Sequence, residues 1–171
     1  PAGYTWKFGR GFEENDKAIQ TMSQNMLLAV VLIFLVMASL FESALYPLSI
    51  ITSIVFAIVG SIWFLTLTGT TITMMAMIGF MVLMGVVVNN GIVMIEHINN
   101  LRRRGMSRTD ALVEGSRERL RPILMTMGTA ILAMVPIAMG NTAMAGGGPP
   151  YFPMARAIAG GLAFSTVVSL L

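Results

Sequence analysis

Two adjacent carboxamides, Asn89 and Asn90, lie in the stretch GVVVNNGIVMIEHINN, whose first half is otherwise apolar enough for lipid. Polar side chains cost free energy in hydrocarbon and usually face the interior of a helix bundle, where they mark ion or substrate paths. Asn does not titrate, so this pair can support a charged group but cannot carry a proton. The alternative is structural, because Asn also joins packed membrane helices through hydrogen bonds worth ~1 kcal/mol.

One helical face extends from this pair toward the end of the apolar run. Gly85, Asn89, Val93 and Glu96 are separated by three or four residues, which places them on one side of a helix. We assign Gly85 and Gly91 to close helix packing, because small residues let membrane helices approach each other. Glu96 lies where the apolar run ends, so we predict a structural or gating role for it at the membrane surface.

Methionine and histidine are the remaining candidates for metal chemistry. Met74, Met77, Met81 and Met84 recur at helical spacing, and thioethers are soft ligands suited to Cu(I). We favour the other interpretation, adaptable packing, because Met fills irregular apolar gaps. His97 is the one histidine and the chain has no cysteine, so we predict no metal site and no cofactor. No nucleophile and base are paired, so we predict no catalytic residues and no enzyme.

These residues belong to a chain whose composition indicates a membrane protein. Hydrophobic residues make up 56% of it and charged residues 11%, with a mean hydropathy of +0.78, whereas soluble domains carry about a quarter charged residues. The charges are also segregated, since none lies in 18–41, 43–95 or 122–155. A helix needs about 20 apolar residues to cross a bilayer, so these gaps hold one, two and one helices.

We therefore predict an all-α membrane protein, a helical bundle of about five transmembrane helices. A polar segment, 1–22, precedes the membrane domain, which covers 23–171. The fifth span begins near Met154 and is still apolar at Leu171, so we expect a fragment of a longer protein. The predicted spans are 23–41, 48–67, 72–96, 122–139 and 154–171.

The connection after the third span carries most of the positive charge. Seven of the eleven Lys and Arg residues fall between Arg102 and Arg121. Short connections rich in Lys and Arg stay in the cytoplasm, so we place this segment inside. Alternation of the spans then places 68–73 and 140–153 outside.

Within this basic segment the sequence predicts a short helix over 107–118. Ser107 and Asp110 have the spacing of a capping box, in which side-chain oxygens accept from the first free amides of a helix. The helix could lie at the bilayer surface or in water. Pro122 would then open the fourth span, where its missing N–H costs little.

Longer runs of the chain resemble a transporter family. GVVVNNGIVMIEHINNLRRRG is followed by ALVEGSRERLRPILMTMGTAILAMVPIAMG and then by PMARAIAGGLAFSTVVSLL. These runs are similar to the carboxy-terminal membrane half of resistance-nodulation-division (RND) efflux pumps of the acriflavine-resistance type. The resemblance covers nearly the whole chain, and it implies that the five spans correspond to the eighth to twelfth helices of a twelve-helix subunit.

The resemblance implies a multi-pass subunit of a bacterial inner membrane that exports amphiphilic small molecules or drugs by proton exchange. The implied partners are the missing amino-terminal half of the subunit, further copies in a homotrimer, a periplasmic adaptor protein, an outer-membrane channel and the lipid bilayer, with no nucleic acid. Two alternatives stay open. Other branches of the superfamily export heavy-metal cations, and sterol-sensing or protein-export relatives act as sensors or secretion auxiliaries.

The resemblance also gives the Asn pair a role. The two membrane halves of the family are pseudo-repeats, and the equivalent helix of the first half typically carries an Asp-Asp proton site. Asn89 and Asn90 occupy the matching positions, and in many drug exporters the residue aligned with Asn89 is a lysine facing those aspartates. Thr126 aligns with a relay threonine. The resemblance thus implies that Asn89, Asn90 and Thr126 support a proton relay, with a dipole in place of the lysine charge.

Overall fold

A computed structural model describes residues 10–41, 45–140 and 150–170, and the regular structure in these ranges is entirely helical. The five helices are α1 (Arg10–Phe41), α2 (Leu45–Leu67), α3 (Met74–Arg103), α4 (Arg108–Met139) and α5 (Phe152–Leu170). Each contains a stretch that is long and apolar enough to cross a bilayer. The predicted all-α bundle of about five membrane helices is confirmed.

The helix boundaries extend beyond the apolar runs from which they were predicted. α1 begins at Arg10 within the polar segment, and α3 continues past Glu96 to Arg103. Hydropathy marks only the part of a helix suited to hydrocarbon, while the backbone hydrogen bonds continue through polar residues in water. The predicted tail up to residue 9, residues 42–44 and most of the predicted outer connection, 141–149, lie outside the described residues.

α4 departs most from the sequence prediction. Ser107 caps it as expected, since its hydroxyl oxygen accepts from the Asp110 amide at 3.2 Å. The helix does not end near residue 118, however, but runs without a break to Met139 with Pro122 inside it. The predicted separation into a helix over 107–118 and a span from 122 is wrong. Proline removes one hydrogen bond to the residue four positions earlier, and both Pro122 and Glu118 are exposed, so the freed carbonyl can be hydrated.

α5 is the central helix, and it packs against α2, α3 and α4. Small residues make this possible. A methyl group added at Gly60 of α2 would overlap the Phe164 side chain of α5, and one added at Gly160 would overlap Phe64 of α2. The two helices therefore lock reciprocally, each phenylalanine lying over the glycine of the other helix. Between these contacts the buried Ser61 hydroxyl donates to the carbonyl of Ala157 at 2.5 Å.

α1 lies at the edge of the bundle and contributes mainly to one apolar cluster. In this cluster Met37 of α1 packs with Ile50 and Ile54 of α2 and with Met84 and Val88 of α3. Met37 and Met84 are thus buried among aliphatic side chains. This position agrees with the interpretation of methionine as a residue that fills apolar gaps. The α3 residues of this cluster and of the contact with α5 fix the rotation of α3 about its axis, which decides where the Asn pair lies.

Candidate functional site

The surface of α3 is divided between the bundle and the outside. Leu83, Met84, Val87 and Val88 are buried against the other helices. The exposed positions of the membrane-spanning part recur every three or four residues, as expected for one side of a helix. We call this set the uncovered face of α3, and it consists of Val82, Gly85, Asn89, Val93, Glu96 and Asn100.

The first residue of the Asn pair lies near the middle of the uncovered face. Asn89 is exposed, and its carboxamide makes no hydrogen bond to another described residue. One turn away, a Cβ added at Gly85 would have no atom of the described chain within 4 Å. Gly91 differs, because a Cβ there would lie 3.3 Å from Cγ1 of Ile50 in α2. Of the two glycines assigned to packing, Gly91 thus contacts a described helix and Gly85 faces away from all of them.

The second residue of the pair turns into the bundle. Asn90 is half-buried, and its Nδ2 donates to the Met127 sulfur of α4 at 3.4 Å. A thioether is a weak acceptor, so this carboxamide keeps hydrogen-bonding capacity. It lines a cavity of about 270 Å³ whose walls come from α2, α3, α4 and α5. The hydroxyl residues of this cavity are Ser49, Ser53, Ser165, Thr166 and Ser169.

Thr126 lies at the same level of the bundle as the Asn pair. The level follows from the contact between Asn90 and Met127, because Thr126 precedes Met127 in α4. The Thr126 side chain is exposed, and its hydroxyl donates to the Ile123 carbonyl at 3.0 Å. That local bond leaves the hydroxyl oxygen able to accept. Asn89 and Thr126 are therefore both directed outward rather than toward the four-helix cavity.

At the charged end of α3, the neighbouring residues Glu96 and His97 also face different sides of the helix. Glu96 is exposed on the uncovered face, whereas His97 turns to α4, where its Nε2 lies 2.6 Å from the Glu118 carboxylate. Arg119 Nη2 lies 3.5 Å from the other ring nitrogen of His97, and its Nε is buried without a partner in the described chain. The sequence analysis missed this cluster. The only signal was the RERLRP run with a single histidine upstream, and the pairing depends on the register between two helices.

At the opposite end of the bundle, Arg156 of α5 makes three side-chain contacts. Its Nε donates to the carbonyl of Ala138 near the end of α4 at 3.0 Å, and its Nη1 donates to the Thr70 hydroxyl at 2.8 Å. The guanidinium also lies 4.7 Å from the centre of the Phe152 ring, a cation–π distance. These contacts fix the start of α5 against the α2–α3 turn. Arg156 thus makes structural contacts at this end of the bundle and does not contact the Asn pair.

Comparison with known proteins gives consistent matches along the chain. The family model described as the AcrB/AcrD/AcrF family matches residues 1–171. The chain is 36% identical over 171 residues to the cobalt-zinc-cadmium resistance protein CzcA of Cupriavidus metallidurans, covering 100% of this chain and 16% of CzcA. It is 30% identical over 168 residues to the toluene efflux pump membrane transporter TtgB of Pseudomonas putida, covering 98% of this chain and 16% of TtgB.

The fold agrees with these matches. The crystal structure of a heavy metal efflux pump (crystal form II) superposes with a TM-score of 0.81 at 29% identity, covering 99% of this chain and 17% of the pump. The chain spans about a sixth of the length of each of these proteins. A family model that matches throughout, together with a shared helical arrangement, leaves one conclusion. The chain belongs to the AcrB/AcrD/AcrF family of resistance-nodulation-division efflux transporters.

Proposed function

We propose that this chain is part of the membrane machinery of a proton-driven exporter of amphiphilic small molecules in a bacterial inner membrane. In this proposal the uncovered face of α3 contacts the missing amino-terminal half of the subunit. The subunit works as a homotrimer with a periplasmic adaptor protein and an outer-membrane channel, as the family resemblance implies. The bundle described above holds the α3 face in position, and the chemistry of proton transfer lies at the contact.

The observation that carries the proposal is the exposure of Asn89 on an otherwise apolar stretch of α3. A carboxamide that faced hydrocarbon would leave its donors and acceptor unsatisfied, at a cost of a few kcal/mol. A protein partner at this position removes that cost. Gly85 supports the same partner, because the open space around it would admit a second helix close to the α3 backbone.

Asn89 has a defined part in this arrangement. The resemblance implies an Asp pair on the equivalent helix of the other half, and an ionised carboxylate away from bulk water needs hydrogen-bond donors. The Asn89 amide supplies two N–H donors without a net charge. Thr126, exposed at the same level, can accept through its hydroxyl oxygen. Asn90 stabilises the cavity side of α3 through Met127 and acts on the relay only indirectly.

A second candidate is export of heavy-metal cations, and the matches to CzcA and to the crystallised heavy metal efflux pump favour it. The match to the toluene efflux pump TtgB favours the first candidate. Among the described residues, no three His, Cys, Asp or Glu side chains converge to hold a metal ion. We keep amphiphile export as the proposal and heavy-metal export as its alternative. Growth of a pump-deficient strain carrying the full-length transporter, challenged separately with toluene and with cobalt or zinc salts, distinguishes the two substrates.

The decisive test of the proton-coupled contact replaces Asn89 in the full-length transporter. Asn89→Leu removes both donors, so we expect efflux to fall more than about tenfold, because an ionised group left without partners costs at least ~1–3 kcal/mol. Asn89→Lys restores a charged donor and should retain activity with a shifted pH profile. The measurement is substrate efflux against pH in inverted membrane vesicles at matched expression.

Asn90→Leu is the matched control, because it makes the same change one position along the helix, about 100° around its axis. We expect it to reduce efflux less than Asn89→Leu does. Wild-type efflux with an unchanged pH profile for Asn89→Leu would show that the residue faces lipid or serves packing, and the proposed contact would be rejected.

A further inference from the structure

A second cavity opens where the ends of three helices meet, at the charged end of the bundle. It encloses about 440 Å³ and has two chemically different sides. One side carries hydrogen-bonding and cationic groups, and the other is formed by aliphatic side chains. The polar lining residues are Tyr46 and Ser49 of α2, Asn99 and Arg102 of α3, and Arg108 of α4, and the aliphatic ones are Ile95, Ile98 and Leu112.

The polar side is organised around a tyrosine hydroxyl. Tyr46 donates to the Oδ1 of Asn99 at 2.9 Å and accepts from the Nη1 of Arg102 at 3.4 Å. The Arg102 guanidinium is thus held at the cavity by a neutral hydroxyl, and its remaining N–H groups make no hydrogen bond to another described residue. Arg108 approaches the same cavity from the first turn of α4. Two guanidinium groups therefore share one cavity, although like charges repel each other.

No carboxylate of the described residues forms an ion pair with either guanidinium group. The seven arginines between residues 102 and 121 make no ion pair within the described parts of the chain, and the single pair there involves His97 and Glu118. The nearest acidic residue in sequence, Asp110, accepts a hydrogen bond from the Ser107 hydroxyl at 2.6 Å. A cavity with two guanidinium groups that no described carboxylate pairs with favours an anionic ligand, and the planar guanidinium matches the geometry of phosphate oxygens.

The aliphatic side leads from the membrane surface toward the middle of the bundle. Ser49, Ile95 and Ile98 line both this cavity and the one that contains Asn90, so the two adjoin. The inner cavity is mostly apolar, with Val87 and Met127 among its lining residues. Together they form a groove with a cationic mouth and an apolar interior, which matches a molecule with a phosphate at one end and a hydrocarbon chain at the other.

We propose that this groove binds an anionic phospholipid of the membrane leaflet at which the arginines lie. Its phosphate is held by Arg102 and Arg108, with Tyr46 and Asn99 positioning the first guanidinium. One acyl chain lies along the aliphatic side chains toward the inner cavity. Basic pockets between membrane helices bind anionic headgroups because the local positive charge offsets the negative charge of the lipid.

The first experiment measures lipid binding to the full-length transporter after delipidation, by native mass spectrometry with added phosphatidylglycerol. Arg102→Gln combined with Arg108→Gln should weaken phosphatidylglycerol binding about tenfold or more, since it removes both guanidinium groups that contact the phosphate in this proposal. The matched control is Arg103→Gln combined with Arg104→Gln, which removes the same charge from exposed positions outside the cavity. We expect that control to change binding by less than about threefold. An equal loss of phosphatidylglycerol binding in both double variants would show that only the general surface charge matters, and the proposed site would be rejected.

Two further arms identify the source of the phosphate. Phosphatidylcholine should bind more weakly than phosphatidylglycerol, because its choline cation meets the two arginines. Inorganic phosphate at millimolar concentration should not displace phosphatidylglycerol, because it fills only the mouth of the groove. Full displacement by inorganic phosphate, or equal binding of the two lipids, would overturn the proposal of an anionic lipid.

A crosslinking experiment then locates the ligand. Leu112 lines the cavity from α4 and is 45% exposed, so a photoreactive benzoylphenylalanine in its place would lie at the mouth of the groove. In the full-length transporter in native membranes we expect a crosslink to phospholipid, identified by its mass on the peptide. A crosslink to another segment of the transporter would show that protein fills the groove, and the proposal would fail even if surface binding of lipid were unchanged.

Discussion

α5 and the uncovered face of α3 use similar residues in opposite ways. Gly160 in α5 lies under a phenylalanine of α2, and a methyl group would not fit there. Gly85 on the uncovered face of α3 has open space around its Cα, and Asn89 one turn away has no described partner. Both regions have the composition of a helix contact. Only α5 meets its contact within the described chain, so composition alone identifies a contact surface but not the partner.

The difference separates two functions of the same bundle. The α2–α5 contact makes the bundle rigid, because glycine permits a backbone approach that larger residues exclude. The uncovered face of α3 presents polar and small residues on that rigid support. We infer that α5 serves the fold and the uncovered face serves the transport step, and the three predictions below test this division.

The largest effect is expected at the internal contact. Gly160→Leu places four additional heavy atoms where the Cβ alone would overlap Phe64. We expect the free energy of unfolding to fall by at least ~3 kcal/mol. This exceeds the usual cost of overpacking because the facing side chain and its backbone must both move. The measurement is the yield of folded full-length transporter by fluorescence-detected size-exclusion chromatography. Gly128→Leu on α4 is the control, since a Cβ there has no atom within 4 Å. Equal yields for both variants would show that the α2–α5 contact is adaptable.

A smaller effect on folding, with a clear effect on transport, is expected at the uncovered face. A series of Gly85→Ala and Gly85→Leu in the full-length transporter should lower efflux progressively with side-chain size, because a larger residue would separate α3 from the helix proposed to contact it. The yield of folded protein should fall less than for Gly160→Leu. Efflux is measured in vesicles at matched expression. A flat response across the series would mean that Gly85 faces lipid, which removes the proposed difference between the two regions.

The smallest effect is expected at Glu96. Its carboxylate is exposed at the end of the apolar run, so Glu96→Gln should change the free energy of unfolding by less than about 0.5 kcal/mol and retain at least partial efflux. Glu118→Gln is the comparison variant, because the Glu118 carboxylate is paired with His97 at 2.6 Å and should be more sensitive. Complete loss of proton-coupled efflux in Glu96→Gln, with normal expression, would instead place Glu96 on the proton path.

The sequence predicted the number and order of the helices because charge and hydrocarbon exclude each other. The charge-free segments therefore marked the spans. It also predicted the Ser107 cap, which depends on residues three positions apart. The contact between Asn90 and Met127 and the pair of His97 with Glu118 were beyond prediction. They depend on the rotation and register of α3 against α4, which are set by packing with α5.

Pro122 shows a different limit of the sequence analysis. The rule that proline opens or breaks a helix is a statement about one hydrogen bond. At an exposed position water can replace that bond, so the helix continues. Proline therefore marks a weak point in α4 rather than a boundary, and the difference is visible only when the surroundings of the residue are known.

The continuity of α4 also has a mechanical meaning. Within this 32-residue helix, Glu118 contacts His97 and Ala138 accepts from Arg156, and the segment between these two contacts is about 30 Å long. A rotation of about 5° around the Glu118 end of a straight segment of this length displaces the Ala138 end by about 3 Å. A tilt of α4 at one of these contacts therefore shifts the other contact by nearly the diameter of an atom. α4 bends most easily at Pro122 and Pro136, where backbone hydrogen bonds are missing. The more the helix bends at these two residues, the smaller is the shift at its other end.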